Sequence, residues 1–388
     1  MNDFLERLEK ACDLANLAEV RSCIGPMIDT SDRLGAKETY LLIRSLRILR
    51  RTTEALEIAK KADQSLLQSD IKIASEVAFT LIASQEFERA ISFIDNHSKK
   101  RDESLQRLLL VAEFLRDSFA NRISHNIILI DNEQLGARIL KMVEEGSPFH
   151  VSRLGDGEGM FWGGVDAPYK WRHSAYCAMA AMAKLKYWIG ESALSLTYND
   201  VQSLATSLFA SYREADLIGI NPNQQEDFFS RFAFAPSRNL FFGYFGHYAC
   251  LTLMQKICDK EYFDAWAFHA IFDRDYFSKL HRASSGGTVF ISSHSMNWLG
   301  DDIESIQIPA AHEDSHAGRQ TPDSHYPLFF NSIIKALDEN YCKGKLFIIG
   351  AGIFAKLYGK RIKDSGGMAI DVGSVLDYMN GYKTRGFK

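Results

Sequence analysis

The chain has 388 residues, which is enough for two or three domains that each bury a hydrophobic core. Its formal charge of −4 provides no basic excess to neutralise a nucleic-acid backbone, so we expect no nucleic-acid partner. The six cysteines form no Cys-x-x-Cys pair, which indicates reduced thiols. Without a signal-peptide pattern or an apolar run of about 18 residues, the chain is predicted to be cytoplasmic, with no transmembrane segment. Peripheral association with the inner face of the membrane is an alternative that these features allow.

Residues 1–122 show apolar positions at helical spacing and are predicted to be all-α. Similar segments place Val20, Ala55 and Ala90 35 residues apart, each near the start of the second helix of a pair. A period near 34 is typical of helical-hairpin arrays such as tetratricopeptide repeats. We therefore predict a helical-repeat-like domain that binds a protein partner or self-associates. An unspecialised helical cap is the alternative.

Residues 123–388 alternate between strand and helix patterns, which predicts an α/β domain with a Rossmann-like parallel sheet. The predicted strands cover residues 126–130, 149–151, 215–220, 265–272, 288–291, 306–309 and 345–349, and a last strand ends at Asp371. Loops after the carboxyl ends of such strands line the ligand crevice, so polar residues at these ends are the candidate site residues.

The first candidate site is Ser-Arg-Leu-Gly-Asp-Gly-Glu at residues 152–158. Asp156 and Glu158 are separated by one residue, so a turn lets both carboxylates reach one hard cation such as Mg²⁺ or Mn²⁺. Arg153 suits a phosphate oxygen, and Gly155 and Gly157 suit a backbone that approaches a ligand closely. These groups together fit a nucleoside diphosphate. The alternative is an ordinary surface turn in which Asp156 caps a helix and pairs with Arg153.

This run resembles the signature of bacterial glycosyltransferases of the GT-D fold type, and the likeness covers roughly residues 125–388. The resemblance implies a GT-D catalytic domain whose Asp-x-Glu pair, Asp156 and Glu158, takes part in catalysis and in metal and sugar-nucleotide binding. It also implies a UDP-sugar donor and a glycan, lipid-linked or protein-linked acceptor, in surface polysaccharide or glycoconjugate synthesis.

Further candidates follow later strands. Ser293 and His294 follow a buried strand, where Ser293 would contact the donor and His294 would meet a diphosphate or deprotonate an acceptor hydroxyl. A hydrogen-bonded turn histidine is the alternative. Glu313, in a charged loop, is the leading candidate for a general base. Four aromatic residues after the first motif are expected either to stack on a base or sugar or to pack internally: Trp162, Tyr169, Trp171 and Tyr176.

The C-terminal stretch has Gly350 and Gly352 after a strand and Asp371 at the end of the next one. This pattern is the outline of a dinucleotide-binding fingerprint and predicts, as an alternative function, an NAD-dependent oxidoreductase. Because only 17 residues follow Asp371, we interpret it instead as a phosphate-facing glycine turn, with Asp371 near a ribose or sugar hydroxyl. A catalytically inactive helical-repeat adaptor is a third hypothesis.

Overall fold

The structure is a computed structural model that describes residues 2–61, 67, 69–97, 103–120, 128–166, 174–220, 246, 249–250, 253–254, 256–257, 260–294, 303–309 and 325–381. These residues fall into two compact units, one up to residue 120 and one from residue 128 onward. The first is helical and the second is α/β with a parallel sheet. Within the described ranges no helix has the length and apolar character needed to cross a membrane.

The described residues of the first unit include three pairs of α-helices and a further α-helix: Asn2–Asp13 with Leu17–Asp29, Ala36–Ile48 with Thr52–Lys61, Ile71–Ala83 with Phe87–His97, and then Glu103–Ala120. The predicted alignment of Val20, Ala55 and Ala90 is confirmed, because each lies near the start of the second helix of its pair. All three side chains are completely buried. Small residues at two of these positions let neighbouring helices approach closely.

The turn inside each helix pair repeats with the same period. The residues with left-handed φ angles are Ala15 (52°), Arg50 (63°) and Gln85 (61°). The amide after each of them donates to a carbonyl five residues earlier, as in Asn16 to Ala11 at 2.9 Å and Glu86 to Leu81 at 2.9 Å. This pattern satisfies helix-end carbonyls in the manner of a Schellman motif. The 35-residue repeat is therefore present in the backbone as well as in the sequence.

These turns allow a prediction about stability. A residue with a side chain is roughly 1 kcal/mol higher in conformational energy in the left-handed region, and glycine avoids this cost. We expect Gln85→Gly, at an exposed turn position, to raise the free energy of unfolding by about 0.5 kcal/mol. The control Glu57→Gly, at an exposed helical position, should lower it by about 1 kcal/mol. Urea denaturation measures both variants. A loss of stability in Gln85→Gly would contradict the assigned turn.

The second unit is built on eight strands: β1 (Leu129–Ile130), β2 (Phe149–Leu154), β3 (Leu217–Ile220), β4 (Glu261–Asp264), β5 (Thr288–Ser292), β6 (Glu304–Gln307), β7 (Leu346–Gly350) and β8 (Met368–Asp371). All their pairings are parallel, in the order β1-β4-β3-β2-β8-β7-β5-β6. The central strands are covered on both faces, which explains their nearly continuous apolar sequences.

One strand prediction is wrong. Residues 265–272 were expected to form a strand, but β4 ends at Asp264 and Phe268–Ile271 is a short helix. Phe268 and Phe272 lie four residues apart and pack ring against ring at 4.6 Å, which is a helical rather than an alternating arrangement.

The helices of this unit are Asn132–Glu145, Asp156–Asp166, Ser174–Ile189, Tyr198–Glu214, Phe268–Ile271, Arg274–Ala283, Phe330–Ala336, Glu339–Cys342, Phe354–Asp364 and Val375–Met379. They contribute to two hydrophobic clusters. One contains Phe161 and Tyr358, and the other contains Leu135 and Leu376.

The centre of the sheet has a topological switch point. After β2 the chain enters the cluster that contains Phe161, whereas after the neighbouring β8 it enters the cluster that contains Leu376. Adjacent strands whose continuations diverge in this way leave a crevice at their carboxyl ends, which is where open α/β sheets bind ligands.

Candidate functional site

The helix Asp156–Asp166, here called the motif helix, begins at this switch point directly after β2. Asp156 and Glu158 were predicted to lie on a turn, but Gly157, Glu158 and Gly159 lie inside the helix. Both glycines admit close neighbours. A Cβ atom on Gly159 would overlap Cys250 Sγ, and one on Gly157 would overlap the Lys184 side chain. The glycines thus reduce helix propensity but permit close packing around the helix start.

Glu158 extends from the first turn of the motif helix toward Gly155. A Cβ atom on Gly155 would lie 2.6 Å from Glu158 Oε2, so the Glu158 carboxylate occupies the space beside this glycine. Asp156 is the first residue of the helix, and its side chain lies outside the described part of the structure. The geometry of the Asp-x-Glu pair is therefore described for Glu158.

Glu158 belongs to a buried ionic group that we call the Lys356 cluster (Glu158, Lys356 and Asp371). Lys356 Nζ donates to Glu158 Oε1 at 2.7 Å and to the carbonyl of Gly352 at 3.1 Å, and it lies 3.0 Å from Asp371 Oδ2. The side chains of Lys356 and Asp371 are 3% and 0% exposed. Charges this deep need mutual compensation, so the ammonium group holds both carboxylates in place.

Arg153, the penultimate residue of β2, lies against Gly373. A Cβ atom on Gly373, whose φ is 51°, would overlap the Arg153 guanidinium group. Arg153 Nε is buried and has no hydrogen-bond partner within the described ranges, and the same holds for Asp371 Oδ1. Buried polar atoms are normally paired, so an unpaired guanidinium nitrogen beside a helix N-terminus is suited to an anionic ligand.

Neighbouring groups fix the junction between β2 and the motif helix. Tyr212 Oη donates to the Arg153 carbonyl at 3.1 Å, and Cys250 Sγ donates to the Gly155 carbonyl at 3.1 Å. Burial, together with the nearby carboxylates of Glu158 and Asp371, raises the pKa of the Tyr212 phenol well above its usual value. Tyr212 therefore stays protonated and keeps its donor role.

At the end of β5, His294 is buried and paired. Its Nε2 lies 2.7 Å from Asp377 Oδ1, and its backbone amide donates to Ser292 Oγ at 3.1 Å. Ser293 is half-buried and directly follows β5. Glu313 lies outside the described residues. The structure thus adds Asp377, which orients the His294 ring, to the residues predicted from sequence.

The C-terminal glycine turn has the predicted strand, turn and helix arrangement. Gly350 ends β7, Gly352 has a left-handed φ of 56°, and the helix Phe354–Asp364 follows. Asp371, which was predicted to lie near a ribose or sugar hydroxyl, is completely buried within the Lys356 cluster in this conformation. Of the four aromatic residues after the first motif, Trp162 is buried and stacks on Phe209, and the side chains of the other three lie outside the described part.

Two of the residues that sequence analysis missed carry positive charge. Lys184 lies beside Gly157 and over the ring of Tyr187 at 4.2 Å. Lys356 occupies the first turn of a helix, where the helix dipole disfavours a cation. This unfavourable placement was the available signal, because it requires a nearby acidic partner.

Within the described residues no group of three or more His, Cys, Asp or Glu side chains could hold a metal ion, so a cation site here would need the Asp156 side chain beside Glu158. Glu158 and Asp371 offer carboxylate oxygens, and Asp371 Oδ1 is a buried acceptor without a partner among the described residues. The single positive charge of Lys356 compensates these two carboxylates only in part. A metal ion at Glu158 would therefore share this carboxylate with Lys356.

Comparisons with known proteins found no matching family model and no matching curated protein. Two solved structures are similar, each at 16% sequence identity and a TM-score of 0.39. One is described as a selenomethionine-substituted domain of unknown function 1792, and the similarity covers 68% of this chain and 84% of that one. The other is described as the highly conserved domain of unknown function 1792 with a distinct glycosyltransferase fold, and the similarity covers 72% of this chain and 88% of that one.

Proposed function

We propose that this protein is a glycosyltransferase of the GT-D type that moves a sugar from a nucleoside-diphosphate sugar, with UDP as the expected nucleotide, to a hydroxyl acceptor. The observation that carries the proposal is the meeting of Arg153, Glu158 and Lys356 at the switch point between β2 and β8. The resemblance of residues 152–158 to the GT-D signature supports the same reaction class. The acceptor class is a glycan or a lipid-linked or protein-linked sugar.

The donor diphosphate would lie at the N-terminus of the motif helix. Backbone amides of the first helical turn face this position, and the half-buried Arg153 guanidinium lies beside it. As the glycosidic bond breaks, the leaving diphosphate gains negative charge, which fixed donors stabilise more strongly than they stabilise the ground state. Gly155 and the turn from Gly350 to Gly352 keep side chains away from the phosphates.

A Mg²⁺ or Mn²⁺ ion held by Asp156 and Glu158 would supply further neutralisation of the diphosphate. Lys356 donates a hydrogen bond to Glu158 Oε1 and so orients this carboxylate toward the helix start. Asp371 positions Lys356 from the opposite side and also accepts from the Arg153 backbone amide at 3.3 Å. The lysine and Asp371 are thus positioning residues in this proposal.

The acceptor hydroxyl needs a base if the reaction inverts the anomeric centre. His294, whose ring Asp377 orients through Nε2, is the candidate that would take the hydroxyl proton as the oxygen attacks and the bond to the nucleoside diphosphate breaks. Glu313 is the second candidate for this role. In either case one proton leaves the acceptor and one diphosphate leaves the donor.

Arg153→Met tests the donor site. Loss of a charged hydrogen-bond donor to phosphate should weaken UDP binding about tenfold or more. The matched control is Arg138→Met, an arginine of the same unit that is 45% exposed and paired with Glu261. Isothermal titration with UDP and Mn²⁺ should show unchanged affinity in the control. Equal UDP affinities in both variants and the native protein would contradict the proposal.

Two alternative functions have direct tests. The oxidoreductase hypothesis requires NADH binding, although the carboxylate of the fingerprint, Asp371, is completely buried against Lys356. A fluorescence titration should show no NADH binding.

The inactive-adaptor hypothesis predicts no sugar transfer by the full chain. We keep the first unit as a proposed tetratricopeptide-like array that docks a protein partner or a second copy.

A further inference from the structure

Three rings form a group beyond the carboxyl ends of β4 and β8, here called the aromatic platform (Trp266, His269 and Tyr378). The His269 ring centroid lies 5.8 Å from that of Trp266 and 6.3 Å from that of Tyr378. Trp266 is 40% exposed and Tyr378 is 55% exposed. Two large, exposed aromatic residues around one histidine suggest a binding surface more strongly than a single exposed ring does.

The exposed rings stand on rigid backbone. The Trp266 amide donates to Asp264 Oδ1 at 2.8 Å, and Phe268 in the next turn is completely buried. Tyr378 belongs to the helix Val375–Met379, whose residue Leu376 is also completely buried. A ligand would therefore meet preformed ring surfaces and would lose little affinity to the ordering of side chains.

One short segment connects the platform with the proposed active site. Gly373 packs under Arg153, Ser374 Oγ lies 3.4 Å from His269 Nε2, and Asp377 holds His294. Tyr378 follows Asp377 directly. The residue that orients the proposed base and a ring of the platform are thus sequence neighbours on a five-residue helix.

We propose that the aromatic platform binds a sugar ring of the acceptor glycan. This inference rests on the proposed glycosyltransferase function. Trp266 and Tyr378, which are both exposed, offer flat apolar ring surface for the C–H groups of a pyranose. The open position fits a glycan that extends into solvent, whereas the donor nucleotide has its charge complement at Arg153 and the motif helix.

Fluorine NMR of protein labelled with 5-fluorotryptophan tests the proposal, with the Trp266 signal assigned by its loss in Trp266→Phe. The probes are maltoheptaose, chitohexaose and an oligogalacturonate, which represent neutral, N-acetylated and acidic glycans. At least one probe should shift the Trp266 signal. Tyr378→Ala should weaken that binding about three- to tenfold, which corresponds to the loss of one aromatic contact. The control Tyr198→Ala, at a tyrosine that is also 55% exposed, should bind as the native protein does.

The outcomes separate this proposal from the function on which it rests. UDP affinity should be unchanged in Tyr378→Ala. If UDP shifts the Trp266 signal and Tyr378→Ala weakens UDP binding instead, the platform holds the nucleobase and the acceptor proposal is overturned. The acceptor proposal is also overturned if no probe shifts the signal. If a glycan binds the platform but the native protein does not bind UDP, the proposed function fails while the glycan site stands.

Discussion

Lys356→Met should lower the free energy of unfolding by about 3–5 kcal/mol. The native ammonium group is almost completely buried and lies within 3.0 Å of both Glu158 and Asp371. Its removal takes the ammonium group away from two carboxylates in a poorly solvated place, and that cost exceeds the net value of the ion pair itself. Urea denaturation measures the effect.

The matched control is Lys360→Met on the same helix. Lys360 pairs with Glu214 and Asp364, but its side chain is 26% exposed, so water compensates much of the change. We expect a loss below about 1 kcal/mol. If the two variants lose equal stability, the Lys356 cluster is not a buried ionic centre.

A divalent cation provides a second measurement at this cluster. In Lys356→Met, Glu158 and Asp371 no longer share their charge with an ammonium group. Mn²⁺ should therefore raise the melting temperature of the variant more than that of the native protein, since a ligand stabilises the state that binds it. The double variant Lys356→Met/Glu158→Gln should lose this gain. An equal response in all three proteins would show that Glu158 does not hold the metal ion.

The sequence predicts the sheet and the helix pairs well because periodic patterns determine them. Buried parallel strands such as β5 and β7 appear as apolar runs, and Val20, Ala55 and Ala90 mark a repeated helical position. The error at residues 265–272 arose where a short apolar run fits both a strand and a helix. There the spacing of Phe268 and Phe272, which packs the two rings together, determines the outcome.

The candidate site was predicted only in part, because its members come from distant segments. Arg153 and Glu158 are visible as a local motif, but Lys356 becomes their neighbour only through the pairing of β2 with β8. In the same way, Asp377 meets His294 across 83 positions of the chain. A single sequence contains no signal for these pairings beyond weak ones, such as a lysine in the first turn of a helix.

Among the described residues, we expect buried His150 to have the largest effect on how the free energy of unfolding depends on pH. It lies in β2 against Gly359, where it is completely buried, and neither ring nitrogen has a hydrogen-bond partner among the described residues. Burial lowers the pKa of His150 to about 3, and the charges of three lysines add to this effect: Lys363, Lys356 and Lys360. The folded protein therefore keeps this ring neutral at pH values where the unfolded chain protonates it.

We expect the difference between the folded and unfolded pKa values of His150 to destabilise the protein in mild acid. Above a pH of about 6.5 the ring is neutral in both the folded and the unfolded protein, and the stability is highest. Below this pH the free energy of unfolding falls by about 1.4 kcal/mol per pH unit until the folded pKa is reached. His150→Leu removes this proton and leaves no partner unsatisfied. Between pH 7 and pH 5 the native protein should thus lose about 2 kcal/mol more than the variant, as measured by urea denaturation. Burial also lowers the pKa of His325 to about 4. Because His325 is present in both proteins, its effect cancels when they are compared. The control is Ser152→Ala, at a buried position of the same strand, whose free energy of unfolding should depend on pH as that of the native protein does. If His150→Leu shows this same pH dependence, the buried imidazole is not kept neutral.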